Sequence, residues 1–189
     1  MFKKRVPPKE VSEEDSAIKH PIKTNEIKQG ALKKLRILFT NADQLTSFKI
    51  MELKERIIKE KPHIIAISKV KPKCPAERTL QDYEVSDYDI HPSLNTLNTR
   101  KVAIYTHKSI SHLVLQITHP INFHEQCLIE IRLSGKNTMI FGCIYRSPSH
   151  NSNLVENNEK LNSLLRTISL DKKYSHRCLV GDFNYKTIN

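Results

Sequence analysis

The chain has 189 residues, 38% of them hydrophobic and 27% charged, with four glycines and no tryptophan. That length is one domain's worth and can bury a sizeable core, and the balance excludes a collagen-like or wholly disordered chain. The formal charge of +11 is shared between the first 34 residues and the remainder, so the part expected to fold is itself basic, which inclines it toward nucleic acid. No apolar run approaches the roughly 18 residues of a membrane span. The basic start, Met1 to Pro8, has no apolar segment behind it. No membrane association or secretion is expected, and the location is read as intracellular, nuclear or cytoplasmic. Cys74, Cys127, Cys143 and Cys178 lie far apart in the chain, without the spacing of a structural zinc site.

Residues 1–33 are rich in Lys, Glu, Ser, Pro and Thr without apolar periodicity, and are expected to form a disordered basic tail or linker. The folded domain is expected over 35–189. Its first strand is read at Leu35–Thr40, followed by a helix over 46–60. On that helix Phe48, Ile50, Met51, Leu53, Ile57 and Ile58 share a broad face, and Glu52/Arg56 and Glu55/Lys59 pair at i,i+4. Pro62 closes it. His63–Ser68 is too short for a helix and rich in β-branched residues, so strand–helix–strand predicts a parallel crossover. Strands are then expected at Tyr83–Val85, Tyr88–His91, Lys101–His107, His112–Ile117, Cys127–Leu133 and Thr138–Tyr145, in antiparallel meanders. A second helix is predicted over 153–169, with Leu154, Leu161, Leu164, Leu165 and Ile168 on one side and Asn153/Glu156 as a capping pair. The last strand is Cys178–Gly181. Leu38, Ile65, Ile67, Ile104, Ile131, Ile140 and Val180 are the expected interior.

Polar residues capable of chemistry follow three strands: Asn41 and Asp43, then Tyr145 and Arg146, then Asp182 and Asn184. Strand ends are where a rigid sheet fixes side chains at its rim. An Asn or Asp in that position is also the ordinary turn former, and a Tyr is also an ordinary packing residue. Gly181-Asp182-Phe183-Asn184 is the most informative string. A carboxylate and a carboxamide two residues apart project to one side of an extended chain, which suits a carboxylate that orients water beside an amide that holds a phosphate oxygen.

With Thr40-Asn41-Ala42, Pro62–Ser68, Val102–Tyr105, Ile144–Pro148 and Gly181–Tyr185 in this order, residues 35–189 resemble the endonuclease/exonuclease/phosphatase superfamily. They look closest to the apurinic-endonuclease-like domain of non-LTR retrotransposon (LINE-type) polyproteins, where a reverse transcriptase accompanies the nuclease. The resemblance implies an α/β fold, a four-layer sandwich of two stacked β-sheets flanked by helices, like that of deoxyribonuclease I. It also implies Mg²⁺-dependent hydrolysis of DNA phosphodiester bonds. By the same resemblance Asn41 lies near metal and phosphate, and Asp43 falls where some members carry a second acidic residue. Tyr145 contacts the scissile phosphate, Asp182 activates water, and Asn184 is the amide beside it. Arg100 and Arg146 are assigned to nucleic acid. DNA is the expected partner; no obligate protein partner is implied.

Two departures bear on activity. Where the family carries its metal-ligand Glu, this chain reads Ile67-Ser68-Lys69, and a protonated ammonium repels Mg²⁺. The family's closing Asp-His pair has no counterpart after Asn184, so the domain is read as incomplete at its C-terminus, with sheet partners missing. His91, His107, His112, His119 and His124 are read as surface or strand-end residues. The expectation is an impaired hydrolase; the alternatives are an inactive nucleic-acid-binding fragment and a phosphatase of the same superfamily. Lys69 is expected either to pair with Asp182 or Asp43 or to swing into solvent.

Overall fold

The computed structural model describes residues 34–71, 83–93, 102–111, 113–117, 121, 123, 125–147 and 154–184. The expected tail at 1–33 and the helix-capping Asn153 lie outside the described residues.

The elements in order are β1 (Ile37–Asn41), α1 (Ser47–Glu60), β2 (Ile64–Ser68), β3 (Tyr88–Pro92), β4 (Val102–His107), α2 (Lys108–Ser111), β5 (Val114–Ile117), β6 (Gln126–Arg132), β7 (Thr138–Tyr145), α3 (Leu154–Leu170) and β8 (His176–Asp182). They form two four-stranded sheets, ordered β1-β2-β4-β3 and β5-β6-β7-β8. β1 and β2 pair parallel, as the crossover reading requires, with Asn41 opposite Ser68. The meanders are antiparallel at β3–β4 and through β5–β6–β7, and β8 returns parallel to β7, placing Asp182 opposite Tyr145.

Three apolar layers stack between these elements. Ile50 and Leu53 of α1 pack on one face of the first sheet with Leu38, Ile65 and Ile67. Ile64, Ala66 and Ile104 meet Ile129, Ile131 and Phe141 between the sheets. Leu161, Leu164 and Ile168 of α3 cover the outer face of the second sheet against Leu128, Ile140 and Ile144. Alternate residues of each central strand thus serve different layers, the period-two rule with both faces buried. The result is the α/β sandwich with helices outside that the sequence predicted. Among the described residues no helix is long and apolar enough to cross a membrane.

Several local expectations are corrected. Tyr83–Val85 is not a strand: Tyr83 and Val85 bury their side chains in the α1 layer, and Tyr105 OH donates to the Tyr83 carbonyl at 2.8 Å. The left-handed Asp87 (φ 65°) then turns the chain into β3. α1 buries less than its pattern suggested, because Phe48, Met51 and Ile58 stay exposed, and its ion pair is Arg56–Glu60 at 3.1 Å. Lys108–Ser111 coils into α2, so β5 begins only at Val114. Val180 is half-buried, since β8 lies at the end of its sheet among the described residues.

Candidate functional site at the strand rim

β1 and β2 end side by side, and both chains turn there. Beyond Asn41 the backbone stays tied to the β2 exit: Ala42, Gln44 and Leu45 N–H donate to the carbonyls of Ser68, Lys69 and Val70, each at 2.9 Å. Asp43 and Gln44 are left-handed (φ 40° and 82°). The Asp43 N–H donates to Asn41 Oδ1 at 3.2 Å, the Asx-turn geometry that lets an Asn or Asp side chain stand in for a backbone turn. Thr46 caps α1, and Lys49 reaches back from the helix to the carbonyls of Ala42 and Asp43. The turn and the site therefore share one residue, Asn41.

Lys69 is also left-handed (φ 55°). It ends β2 by turning its side chain out of the strand direction and toward β8. There Lys69 Nζ lies 2.8 Å from Asp182 Oδ2. The same oxygen accepts from Asn41 Nδ2 at 2.8 Å. Lys69 Nζ also stands 5.2 Å from the centre of the Tyr145 ring, within cation–π reach, and Tyr145 is itself buried. The two charged side chains are only 17% and 19% exposed, so water screens the pair incompletely. Asn41, Lys69, Tyr145 and Asp182, spread over most of the sequence, thus meet at one rim.

Gly181 allows this approach. A Cβ there would lie 1.9 Å from the Ile144 carbonyl oxygen, so only glycine lets β8 run this close to β7 before presenting Asp182.

Asn184 and Arg146 have a different place. Asn184 is left-handed (φ 47°), which breaks the extended register with Asp182, and its Nδ2 donates to the Arg146 carbonyl at 2.8 Å. Arg146 is 7% exposed. Its Nε donates to Asn158 Oδ1 at 2.7 Å and its Nη1 to the Asn184 carbonyl at 2.9 Å, while its N–H donates to the Asp182 carbonyl at 2.9 Å. Arg146 is thus a buried strut joining β7, α3 and the β8 exit rather than an exposed cation. Sequence reasoning missed Asn158, whose only signal was a polar residue in an amphipathic helix. Arg100 lies outside the described residues.

The donor set does not fit Mg²⁺. Asp182 faces an ammonium at contact distance, Asn41 Oδ1 is engaged by the Asp43 amide, and among the described residues no three His, Cys, Asp or Glu side chains gather to hold a metal ion. What converges on Asp182 is a set of donors, and donors recognise oxyanions.

No protein-family profile and no curated protein matches the sequence. Solved structures share its fold. D. rerio TDP2, complexed with single-strand DNA product, superposes with a TM-score of 0.56 at 15% identity, over 82% of this chain and 62% of that one. Truncated C. elegans TDP2 gives 0.54 at 15% identity, over 80% and 63%. ANGEL2, a 2′,3′-cyclic phosphatase in complex with adenosine-2′,3′-vanadate, gives 0.52 at 10% identity, over 82% and 55%. These neighbours belong to the endonuclease/exonuclease/phosphatase superfamily, and the deoxyribonuclease I-like fold is shared with them. The chain spans about 62% of the length of the D. rerio TDP2 chain it matches.

Proposed function

We propose that this chain is a retrotransposon-derived domain of the endonuclease/exonuclease/phosphatase type that holds DNA phosphates and cleaves them feebly or not at all. The observation that carries this reading is the Lys69–Asp182 contact at 2.8 Å, shared with Asn41. A hydrolase of this kind uses a carboxylate at the Asp182 position to orient or deprotonate water, with a divalent cation to neutralise charge on the phosphoryl oxygens. Here the Lys69 ammonium takes the place of that cation. It supplies a positive charge, but as a point donor with no open coordination positions it cannot polarise water and phosphate together.

The proposed roles are as follows. Lys69 and the Asn41 amide hold a phosphoryl oxygen that competes with Asp182 for them, and Tyr145 forms the wall beneath the ammonium. Asp182 repels a phosphate until Lys69 is drawn to the ligand. The net charge of +11 supplies the sequence-independent attraction to nucleic acid.

The test is nicking of supercoiled plasmid in Mg²⁺, together with DNA binding measured at several salt concentrations. The expected result is salt-sensitive binding and no nicking above that of Asp182→Ala. Robust nicking by the unmodified chain that Asp182→Ala abolishes would overturn the reading.

A further inference from the structure

The opposite rim of the first sheet carries a second cluster of chemistry. Parallel pairing of β1 and β2 puts Arg36 and His63 at their leading ends, while antiparallel pairing brings the end of β4 to the same rim, with His107 opposite Tyr88. Five residues of strand at about 3.3 Å each separate this rim from Asn41, roughly 16 Å. A cavity of about 280 Å³ opens there, lined by Arg36, Lys61, His63, Asp87, His107 and Ser109.

Its donors are fixed in place. The Arg36 N–H donates to His63 Nδ1 at 3.0 Å, and the Ser109 N–H donates to His107 Nδ1 at 3.1 Å. An imidazole that accepts at Nδ1 carries its proton at Nε2 when neutral, so each ring is left with an Nε2–H donor. The Tyr88 ring meets His107 edge-on at 5.1 Å, and Tyr88 OH is anchored on the Pro62 carbonyl at 2.6 Å. Arg36 Nε donates to the Lys61 carbonyl at 2.7 Å, which holds the guanidinium stem. Among the described residues its terminal nitrogens have no hydrogen-bond partner. Among the described residues lining the cavity, the charged and titratable groups are therefore Arg36 before β1, Lys61 and His63 between α1 and β2, His107 at the end of β4, and one acid, Asp87, before β3.

We propose that this cavity is an oxyanion site for a phosphate monoester, with Arg36 and the two imidazole Nε2–H groups as its donors; the Ser109 hydroxyl is spent on His107 Nδ1, 2.8 Å away, and fixes that ring. Its volume falls just short of the roughly 300–1,000 Å³ of small-molecule pockets, room for a phosphoryl group on a small carrier. Like charges converge here: burial, Arg36 and His107 all push the His63 imidazole below its ordinary value. An anion between these groups relieves that repulsion, so ligand and proton favour one another, and Asp87 alone opposes them. The site shares no residue with the Lys69–Asp182 rim and does not depend on the function proposed there.

The test is an NMR titration of the histidine Cε1–H resonances at constant ionic strength, with chloride as the control anion. Inorganic phosphate, a nucleoside monophosphate and a single-stranded oligonucleotide without terminal phosphate form the three arms. Phosphate or the monophosphate is expected to move His63 and His107 together and to raise the His63 pKa. A monophosphate that binds more tightly than inorganic phosphate identifies an esterified ligand; equal binding identifies free phosphate. Arg36→Met and His107→Gln should each weaken binding about tenfold, the loss of one charge-assisted hydrogen bond, while Lys69→Met leaves it unchanged. Should Arg36→Met fail to fold, His107→Gln alone decides. The proposal is overturned if neither phosphate moves both rings, if the shifts survive the variants, or if only the oligonucleotide produces them.

Discussion

Replacing Lys69 with glutamate turns the ion pair into two facing carboxylates, and its consequence can be worked from the geometry. At 2.8 Å and an effective dielectric near 20, the gross attraction lost is about 6 kcal/mol. Desolvation offsets most of it, so the net loss is that of a hydrogen bond to a charged group, about 1.5–3 kcal/mol. Two carboxylates at ~4 Å add a gross repulsion of about 4 kcal/mol, much of which is relieved when the introduced side chain rotates away. Lys69→Glu should therefore destabilise by about 3–4 kcal/mol, and Lys69→Met, which loses only the attraction, by about 1.5–3 kcal/mol.

The two variants separate under divalent cation. Paired carboxylates form an oxygen-rich site of the kind hard cations occupy, so MgCl₂ should restore stability to Lys69→Glu. At a concentration 100 times the dissociation constant the gain is about 2.7 kcal/mol. Urea melts with MgCl₂ or NaCl at matched ionic strength read this directly, and adding Asp182→Asn should abolish the response. The reasoning fails if Lys69→Glu is as stable as the parent without divalent cation, or if Lys69→Met responds to Mg²⁺ equally.

Other outcomes follow from the same geometry. Gly181→Ala puts a methyl 1.9 Å from the Ile144 carbonyl; it should cost about 1–3 kcal/mol in a urea melt. Arg146→Met leaves the carbonyls of Phe183 and Asn184 and the Asn158 amide without their shared donor, and should cost about 2–3 kcal/mol in the same assay. Burial holds His63 and His91 below the ordinary imidazole value of 6.5, with Arg36 and His107 adding at His63 and Asp89 opposing at His91. The unfolded chain therefore takes up protons first. Stability should be flat above about pH 6.5 and fall as pH drops through that value to the lower folded ones, a slope that His63→Gln and His91→Gln should each reduce.

The layers were legible because their signals are local. Continuous short apolar runs at His63–Ser68 and Thr138–Tyr145, and the Leu161/Leu164/Ile168 spacing, each point to burial without reference to the rest of the chain. Phe48, Met51 and Ile58 misled because an apolar side chain on a helix does not report whether a partner covers it. Tyr83–Val85 misled because a buried tyrosine in a loop and one in a strand have the same local composition. At the rim, Asn41 and Asp182 could be named from their place after strands, and Lys69 as a replacement. Their meeting could not be derived locally, because Asn41 and Asp182 are 141 positions apart. Arg146 shows the converse: a basic residue after a strand suggests a nucleic-acid contact, and only its 7% exposure and its bond to Asn158 reveal a strut.

If, as proposed, the Lys69 ammonium stands where a metal would, Asp182 plays the opposite part in binding. In a site that works through a divalent cation, neutralising a ligand carboxylate weakens the metal and with it the grip on phosphate. Here Asp182 Oδ2 already occupies both Lys69 Nζ and Asn41 Nδ2, so it competes with any phosphate for the same donors. Asp182→Asn keeps the shape, removes the competing charge and frees the ammonium. DNA affinity should therefore rise several-fold, about 1 kcal/mol for one additional hydrogen bond to phosphate, and the slope of log K against log salt should steepen by about 0.9 for duplex DNA. Lys69→Met in the same background should cancel both changes, which a general loss of negative charge would not predict. Fluorescence anisotropy with a labelled duplex over a salt series measures affinity and slope together. If Asp182→Asn weakens binding, and does so only when Mg²⁺ is present, the carboxylate is serving a metal after all and Lys69 is not its replacement.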